Sequence, residues 1–248
     1  MTAKPQIVIQ EMGGAHNADL SATRARLIKG GSWKKQRIIV LLPAADMVPA
    51  KCALAWWNLA FPPNNGVVKW LCLGMEVGDA YSTAIEQILA NDQLKDWEYI
   101  LSVEMDNCPP SDGVIRLVER MEEHPEFAAI SGSYFTKGAG GAWQGWGDPT
   151  SPTPNYMPQL PDPNGGLVEV CGLGQGFCLY RLAMFKDPRL RKPWFKTLNG
   201  KDGQGISTQD LYFWSDARKN GYRCAVDSGC KVGHLDYTGA FGPIDYMW

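Results

Sequence analysis

The sequence predicts an α/β fold with a mostly parallel central sheet, and three observations indicate it. Two short apolar runs, Arg37–Pro43 and Trp97–Val103, are unbroken, as in strands that are buried on both faces of a parallel sheet. Segments with apolar residues at helical spacing separate the runs. The second run leads directly into Glu104-Met-Asp-Asn107, and the carboxyl ends of parallel strands are the usual ligand-binding edge of such sheets.

Strands and helices alternate through the first half of the chain. The Pro62-Pro63 pair stops the first helix, Ala84 and Ile88 lie at helical spacing in the second, and Ser111-Asp112-Gly113 begins the third. In chain order, the predicted strands cover residues 37–43, 67–73, 97–103 and 127–132, and the predicted helices cover residues 50–60, 79–91 and 111–123.

A long segment without periodicity, residues 138–166, precedes the remaining elements. Loops of this length are uncommon in compact domains and are usually functional, so we interpret it as an acceptor-side loop or lid. A disordered insertion is the alternative, but Trp143 and Trp146 favour packing against the protein. The elements predicted after it are a strand over 168–172, a glycine-led apolar stretch over 174–180, a helix over 210–220, a strand over 223–227 and the segment 231–234.

Composition bounds the class of protein. The chain has 248 residues with a formal net charge of −2, and no apolar run approaches the roughly 20 residues that span a bilayer. We therefore expect a cytoplasmic protein without a membrane partner. The predicted organisation is a polar and basic leader over 1–36, one domain over 37–236 and a tail over 237–248. The seven cysteines lack metal-site spacing, which favours buried, reduced thiols over zinc.

The candidate chemistry lies in acidic residues and one histidine. Glu104 and Asp106 are carboxylates at i and i+2 where a strand ends, and His234 lies in the small-residue segment Val232-Gly-His234. Carboxylate and imidazole together suit Mn²⁺, or Mg²⁺ with more oxygen ligands. Asp210 opens a helix, where it is either a cap or a general base. An acid-x-acid triplet alone is weak evidence, since its simpler interpretation is capping of the next helix.

The ordered set of motifs resembles the GT-A glycosyltransferases, which have a Rossmann-like nucleotide-sugar-binding domain. The family 2-like members, including compact bacteriophage-encoded enzymes, are the most similar. The resemblance covers roughly residues 37–236, and its motifs are Glu104-Met-Asp-Asn107, Gly172-Leu-Gly-Gln-Gly-Phe-Cys-Leu-Tyr-Arg181, Thr208-Gln-Asp210, Gly221-Tyr-Arg-Cys-Ala-Val-Asp227 and Val232-Gly-His234.

The resemblance implies a role for each matched position. Asp106 and His234 would hold the metal, with Glu104 beside them, and Asp210 would be the base. The donor is expected to be a UDP-sugar. Its base and ribose would meet Pro43, Ala45 and Asp46, and the backbone of Gly174, Gln175 and Gly176 would approach the sugar and the acceptor. Two positions depart from the family, because Glu104 replaces an Asp and Gln209 replaces a Glu. Since histidine ligands also occur in retaining families, inversion and retention both stay open.

Two basic segments, 24–37 and 186–196, suggest an acceptor. They contain aromatic residues, including Trp33, Trp194 and Phe195, and a polyanion with stacking bases would suit them. Hydroxymethylated pyrimidines in phage DNA are therefore the first expected acceptor. A glycan, a lipid-linked sugar or a small metabolite is the alternative. A silent nucleotide-sugar-binding module is a different class of function, and a nucleotidyltransferase is disfavoured because Pro43-Ala-Ala-Asp-Met47 lacks a glycine-rich basic loop.

Overall fold

The computed structural model describes residues 36–63, 66–136, 141–151, 155–199, 205–236 and 246–247. In chain order, the strands are β1 (Ile38–Ala44), β2 (Val67–Leu73), β3 (Tyr99–Val103), β4 (Asn107–Cys108), β5 (Phe127–Ser133), β6 (Gly145–Trp146), β7 (Leu167–Val170), β8 (Gly172–Leu173), β9 (Phe177–Arg181), β10 (Leu198–Asn199), β11 (Gly205–Ser207), β12 (Arg223–Lys231), β13 (Gly233–Leu235) and β14 (Tyr246–Met247). The α-helices are α1 (Ala50–Trp57), α2 (Val77–Ala90), α3 (Gly113–Glu123) and α4 (Gln209–Lys219).

The central sheet has seven strands in the order β2-β1-β3-β9-β5-β12-β7. Strand β1 is parallel to β2 and β3, and β12 is parallel to β5. Strand β9 is inserted antiparallel between β3 and β5, and β7 is antiparallel to β12 at the edge. The predicted α/β class with a Rossmann-like layout is confirmed, but the sheet is mixed because β9 and β7 oppose the other five strands.

The apolar runs are unbroken because the sheet is covered on both faces. In β1, Ile39 and Leu41 belong to one core cluster, whereas Ile38 and Val40 belong to the other. Helices α2 and α4 pack into the first cluster, and α3 packs into the second. Since successive strand residues point to opposite faces, both faces of β1 require apolar side chains.

The loop that precedes β7 is hydrogen bonded to the rest of the protein. Within its described residues, β6 pairs with β8, and the indole of Trp143 is buried with its Nε1–H donating to Ser133 Oγ at 2.9 Å. The expectation that the aromatic residues of this loop pack against the protein is confirmed. Disordered insertion is the wrong interpretation for the described part of the loop.

The C-terminal tail is not wholly irregular. Residues 246–247 form β14, which pairs antiparallel with β13, so the chain end adds a strand beside His234. The predicted boundary at residue 236 therefore separates two strands of one small sheet. The leader over 1–35 lies outside the described residues.

The cysteines and the helices bear on two predictions made from composition. All seven cysteines are unbridged, and six of them are buried while Cys72 is half-buried, so the prediction of reduced core thiols is confirmed. In the part of the chain that the structure describes, no helix has the length and apolar character that crossing a membrane requires.

Candidate functional site

The carboxyl edge of the sheet gathers the segments that the sequence singled out. Strands β1 and β3 are parallel, so the residues that follow them emerge at the same edge. Ala45 and Asp46 after β1 are exposed, and the backbone N–H of Ala45 donates to Met105 Sδ at 3.3 Å. The loop after β1 therefore contacts the acidic loop after β3.

Pro43 lies inside the first strand, as predicted, and is not part of the exposed loop after it. It is buried within β1, opposite Cys72 of β2, and does not line the exposed loop. The strand tolerates a proline there because the pairing of β1 with β3 ends at Leu41, before the residue that lacks an N–H. Its predicted contact with the nucleotide stays a prediction, and the exposed residues in this loop include Ala45 and Asp46.

Asp106 and His234 lie side by side although they are far apart in sequence. Strand β13 pairs with β4 so that His234 lies opposite Asn107, and Leu235 N–H donates to the Asp106 carbonyl at 2.8 Å. His234 Nε2 is 3.7 Å from Asp106 Oδ2, and both side chains are about 15% exposed. Two short antiparallel segments thus hold an imidazole and a carboxylate against each other.

One nitrogen of His234 is committed to the backbone. Its Nδ1 lies 2.7 Å from the Phe135 carbonyl oxygen, which only accepts hydrogen bonds, so Nδ1 carries the hydrogen. In the neutral ring, Nε2 then presents its lone pair toward Asp106. A backbone carbonyl on the second nitrogen is the common way in which proteins orient a metal-binding histidine.

The pair suits a divalent cation as a partial ligand set. The Nε2–Oδ2 separation of 3.7 Å is too long for a hydrogen bond, but both atoms can reach an ion about 2.1 Å from each. Among the described residues, no cluster of three or more His, Cys, Asp or Glu side chains is arranged for a metal. Sites that bind a metal together with a phosphate ligand often have only one or two protein ligands.

Tyr134 connects the parts of the site. Its Oη accepts the Gly176 N–H at 2.7 Å, and its ring meets the ring of His234 edge-on at 5.6 Å. Burial raises the pKa of Tyr134 well above its ordinary value, and the charges of Glu104 and Asp210 raise it further. The Tyr134 phenol therefore stays protonated at neutral pH.

Tyr134→Phe is expected to lower the free energy of unfolding by about 1–3 kcal/mol, because the Gly176 N–H loses its acceptor in a buried position. Tyr222→Phe is the matched control, since its hydroxyl bonds Asp187 in a less buried place and should cost less. Urea unfolding of both variants measures the difference. Equal losses would contradict a special role for the Tyr134 hydroxyl.

The glycine-led turn before β9 is structural. A Cβ on Gly174 would lie 2.3 Å from Tyr134 Oη, and a Cβ on Gly176 would lie 2.5 Å from Asn107 Oδ1. The approach of their backbone to a sugar stays a prediction, and these glycines make room for the side chains of Tyr134 and Asn107. The reason is that β9 enters the middle of the sheet, so the turn before it is buried.

Gln175 is likewise buried, with 2% of its surface exposed. Its side-chain Nε2 donates to Tyr180 Oη at 2.6 Å, and its backbone carbonyl oxygen accepts from Ser102 Oγ at 2.7 Å. The Gln175 side chain therefore points into the protein, and the predicted contact of residues 174–176 with the donor stays a prediction. The role of Gln175 is to join β9 to β3.

Asp210 lies in the first turn of α4 and is buried. Its Oδ1 accepts hydrogen bonds from Leu211 N–H at 2.8 Å and from the hydroxyl of Thr208, the residue that caps the helix. Burial raises the pKa of Asp210 above its usual value, and these hydrogen bonds oppose the shift. Asp210 therefore fits both interpretations. Its hydrogen bonds in the first turn of α4 suit a cap, and its raised pKa is typical of a catalytic base.

The second basic segment is not an exposed stacking surface. Trp194 and Phe195 are each 1% exposed and belong to the core, so the interpretation of these rings as platforms for DNA bases is wrong. Lys192 Nζ lies 4.6 Å from the Trp194 ring centroid, which shows how a charged neighbour can cover a buried indole. Arg189 pairs with Asp187, and Lys186 pairs with Asp96.

Arg37 is the cation of the first basic segment that the structure describes, since residues 24–35, including Trp33, lie outside the described residues. Its guanidinium pairs with Glu98 at 2.8 Å. The described cations of both segments are thus engaged largely with the protein's own acids. A DNA acceptor stays an untested prediction, without the support of stacking by Trp194 and Phe195.

The fold and the site define an α/β protein with a Rossmann-like layout and an acid–histidine pair at the carboxyl edge of its sheet. No protein-family model matches the chain, and no curated protein matches it. Among solved structures, the chain is similar to A197 from STIV, with a TM-score of 0.55 and 16% identity over 80% of this chain and 85% of that one. At this identity the likeness shows the fold alone.

Proposed function

We propose that this protein is a metal-dependent glycosyltransferase of the GT-A kind that moves a sugar from a nucleotide-sugar, a UDP-sugar, to a hydroxyl acceptor. The observation that carries the proposal is the Asp106–His234 pair, in which the Phe135 carbonyl fixes the imidazole so that Nε2 faces the carboxylate. The motif resemblance and the exposed loop after β1 beside the acidic loop support the same conclusion.

The residues divide into three roles in this proposal. Asp106 and His234 hold Mn²⁺ or Mg²⁺, which neutralises the charge of the departing diphosphate. Ala45 and Asp46 face the nucleoside, since they are exposed at the end of β1. Glu104 adds negative charge close to Tyr134 and supports the metal side of the site.

Asp210 is the proposed base. The acceptor oxygen bonds to the anomeric carbon, the bond from that carbon to the diphosphate oxygen breaks with its electron pair on the nucleoside diphosphate, and the hydroxyl proton passes to the Asp210 carboxylate. Burial of Asp210 suits this role, because a raised pKa makes the carboxylate a stronger proton acceptor.

His234→Asn is expected to weaken Mn²⁺ binding in the presence of UDP at least about tenfold. Asparagine can place Nδ2 where the imidazole Nδ1 donates to Phe135, but it has no counterpart of Nε2. His124→Asn is the matched control, because His124 pairs with Glu126 on a different surface. Calorimetric titration of Mn²⁺ measures both; equal affinity in the wild type and His234→Asn would remove His234 from the proposed site.

A silent nucleotide-sugar-binding module is the second candidate, and the departures at Glu104 and Gln209 favour it. Such a module would bind the donor with the same metal dependence but leave it intact. Nucleotide release therefore separates the two functions, and binding alone does not.

A further inference from the structure

A preformed cavity of about 390 Å³ opens at the carboxyl edge of the sheet. It lies at the ends of β5 and β12, whereas the exposed loop after β1 is on the other side of β3 and β9. Phe135 joins the cavity to the pair, because it lines the cavity and its carbonyl holds His234 Nδ1.

The loop that forms one wall is fixed by hydrogen bonds. The Asp162 carboxylate accepts the N–H groups of Asn164 at 2.9 Å and Gly166 at 3.0 Å, and Asp162 N–H donates to Ser228 Oγ at 2.9 Å. Ser228 N–H in turn donates to the Gly166 carbonyl at 3.0 Å. The wall therefore requires no reorganisation before a ligand binds.

A buried ion cluster fixes the turn after Asp227, which contributes Ser228 and Gly229 to the lining. The Asp227 side chain is fully buried, and it pairs with Arg116 and Arg120 of α3 at 3.3 Å each. It also accepts Gly229 N–H at 2.9 Å, and a Cβ on Gly229 would meet Arg116 Nη2 at 2.5 Å. The turn after Asp227 is thus held against α3 and does not fill the cavity.

The lining combines apolar faces with hydrogen-bond donors. Phe135 and Pro161 supply apolar faces. Ser228 Oγ accepts from Asp162 and keeps its own hydrogen to donate, and Lys231 supplies an exposed ammonium. The Asp162 carboxylate accepts two backbone N–H groups, so it is less available to a ligand. Apolar faces beside a few hydroxyl-complementary groups are what a sugar ring requires.

A nucleic-acid strand fits this part of the surface less well. Backbone binding requires several cations along a groove. Of the cations at or behind the cavity walls, Arg116 and Arg120 pair with Asp227, and Lys231 is the lining cation that forms no ion pair within the described residues.

We infer that this cavity is the acceptor site and that it binds a saccharide. The inference rests on the proposed function: a saccharide hydroxyl presented from the β5–β12 side reaches the metal pair from the side opposite the nucleotide loop. The oxygen of that hydroxyl forms the new glycosidic bond, and its proton leaves to Asp210 as described above.

Asn164→Trp tests the site, because Asn164 is an exposed lining residue and an indole there fills the opening. Gln93→Trp is the matched control, since Gln93 is equally exposed at the amino end of β3, the opposite edge of the sheet. Saturation-transfer NMR with glucose, galactose and N-acetylglucosamine measures binding without turnover, and duplex DNA with hydroxymethylated pyrimidines is the competing probe.

We expect at least one of these sugars to bind the wild type and Gln93→Trp, with at least about tenfold weaker binding to Asn164→Trp. Equal binding to all three proteins, binding of DNA alone, or no saturation of any sugar would overturn the inference. Mn²⁺-dependent nucleotide release is measured on the same preparations. If the wild type releases nucleotide but Asn164→Trp binds sugars as well as the wild type does, only the acceptor site is refuted. If the wild type releases no nucleotide, the proposed function is refuted.

Discussion

Asp106→Asn is expected to reduce Mn²⁺-dependent nucleotide release from the donor by at least about a hundredfold while leaving the unfolding transition near that of the wild type. Asparagine preserves the shape of the side chain and removes the charge that faces His234 Nε2. The backbone carbonyl of residue 106 still accepts Leu235 N–H, so the pairing of the two segments is retained.

Asp92→Asn is the control for this substitution. Asp92 is 88% exposed and pairs with Lys95, and such surface pairs contribute about 0–1 kcal/mol. Nucleotide release at several Mn²⁺ concentrations compares the two variants with the wild type. Unchanged release by Asp106→Asn would remove the residue on which the metal assignment depends.

Asp210→Asn is expected to lower kcat for transfer by about 10²–10⁴ with little change in donor affinity, because it removes the base and keeps the cap. The amide oxygen can still accept from Leu211 N–H and Thr208 Oγ1. Steady-state transfer and donor titration measure the two effects separately. Loss of donor binding together with a lower unfolding temperature would instead assign Asp210 to helix capping alone.

The pH dependence follows from the raised pKa of Asp210. Burial stabilises the protonated carboxyl in the folded state, so stability that is present below the usual value of 3.8 is lost as pH rises through the raised folded pKa. At neutral pH, Asp210→Asn should therefore unfold at a temperature no lower than the wild type, and this relative advantage should shrink at acid pH. Transfer should lose rate as pH falls through the same pKa.

The predictable part of the fold is the part that local pattern determines. The strand over 67–73 has the predicted bounds, and helices α2 and α3 lie within two residues of their predicted starts and ends. The predicted strand at 37–43 is observed one residue later, because its ladder with β2 runs from Ile38 to Ala44.

The direction of β9 could not be predicted in the same way. Its apolar residues would suit a parallel or an antiparallel neighbour, because burial on both faces removes the alternation that distinguishes environments. Its insertion between β3 and β5 buries the preceding turn, so Gln175 forms hydrogen bonds inside the protein.

The site was predictable at the level of side-chain chemistry but not of backbone contacts. Asp106 and His234 could be chosen from residue type and strand-end position, and the structure places them 3.7 Å apart. The Phe135 carbonyl leaves no sequence signal, because every residue has one. Tyr134 had a weak signal, since it directly follows β5 at the ligand-binding edge.

The burial of Trp194 shows why basic neighbours in the sequence do not indicate an exposed aromatic ring. Its basic neighbours suggested a surface, yet long lysine and arginine side chains can cover an apolar core with their stems and keep their charges in water. The indole of Trp194 packs edge-on against Phe185 at 5.7 Å between ring centroids. Basic sequence around an aromatic residue therefore does not distinguish an exposed ring from a covered one.

The central claim is tested most directly by nucleotide release from a panel of UDP-, GDP-, ADP- and TDP-sugars, with Mn²⁺ and with EDTA, in the presence of glycans or hydroxymethylated DNA. We expect release of UDP that requires Mn²⁺ and increases with a saccharide acceptor. Donor binding without release under every condition would contradict a glycosyltransferase, and equal release with EDTA would contradict a metal held by Asp106 and His234.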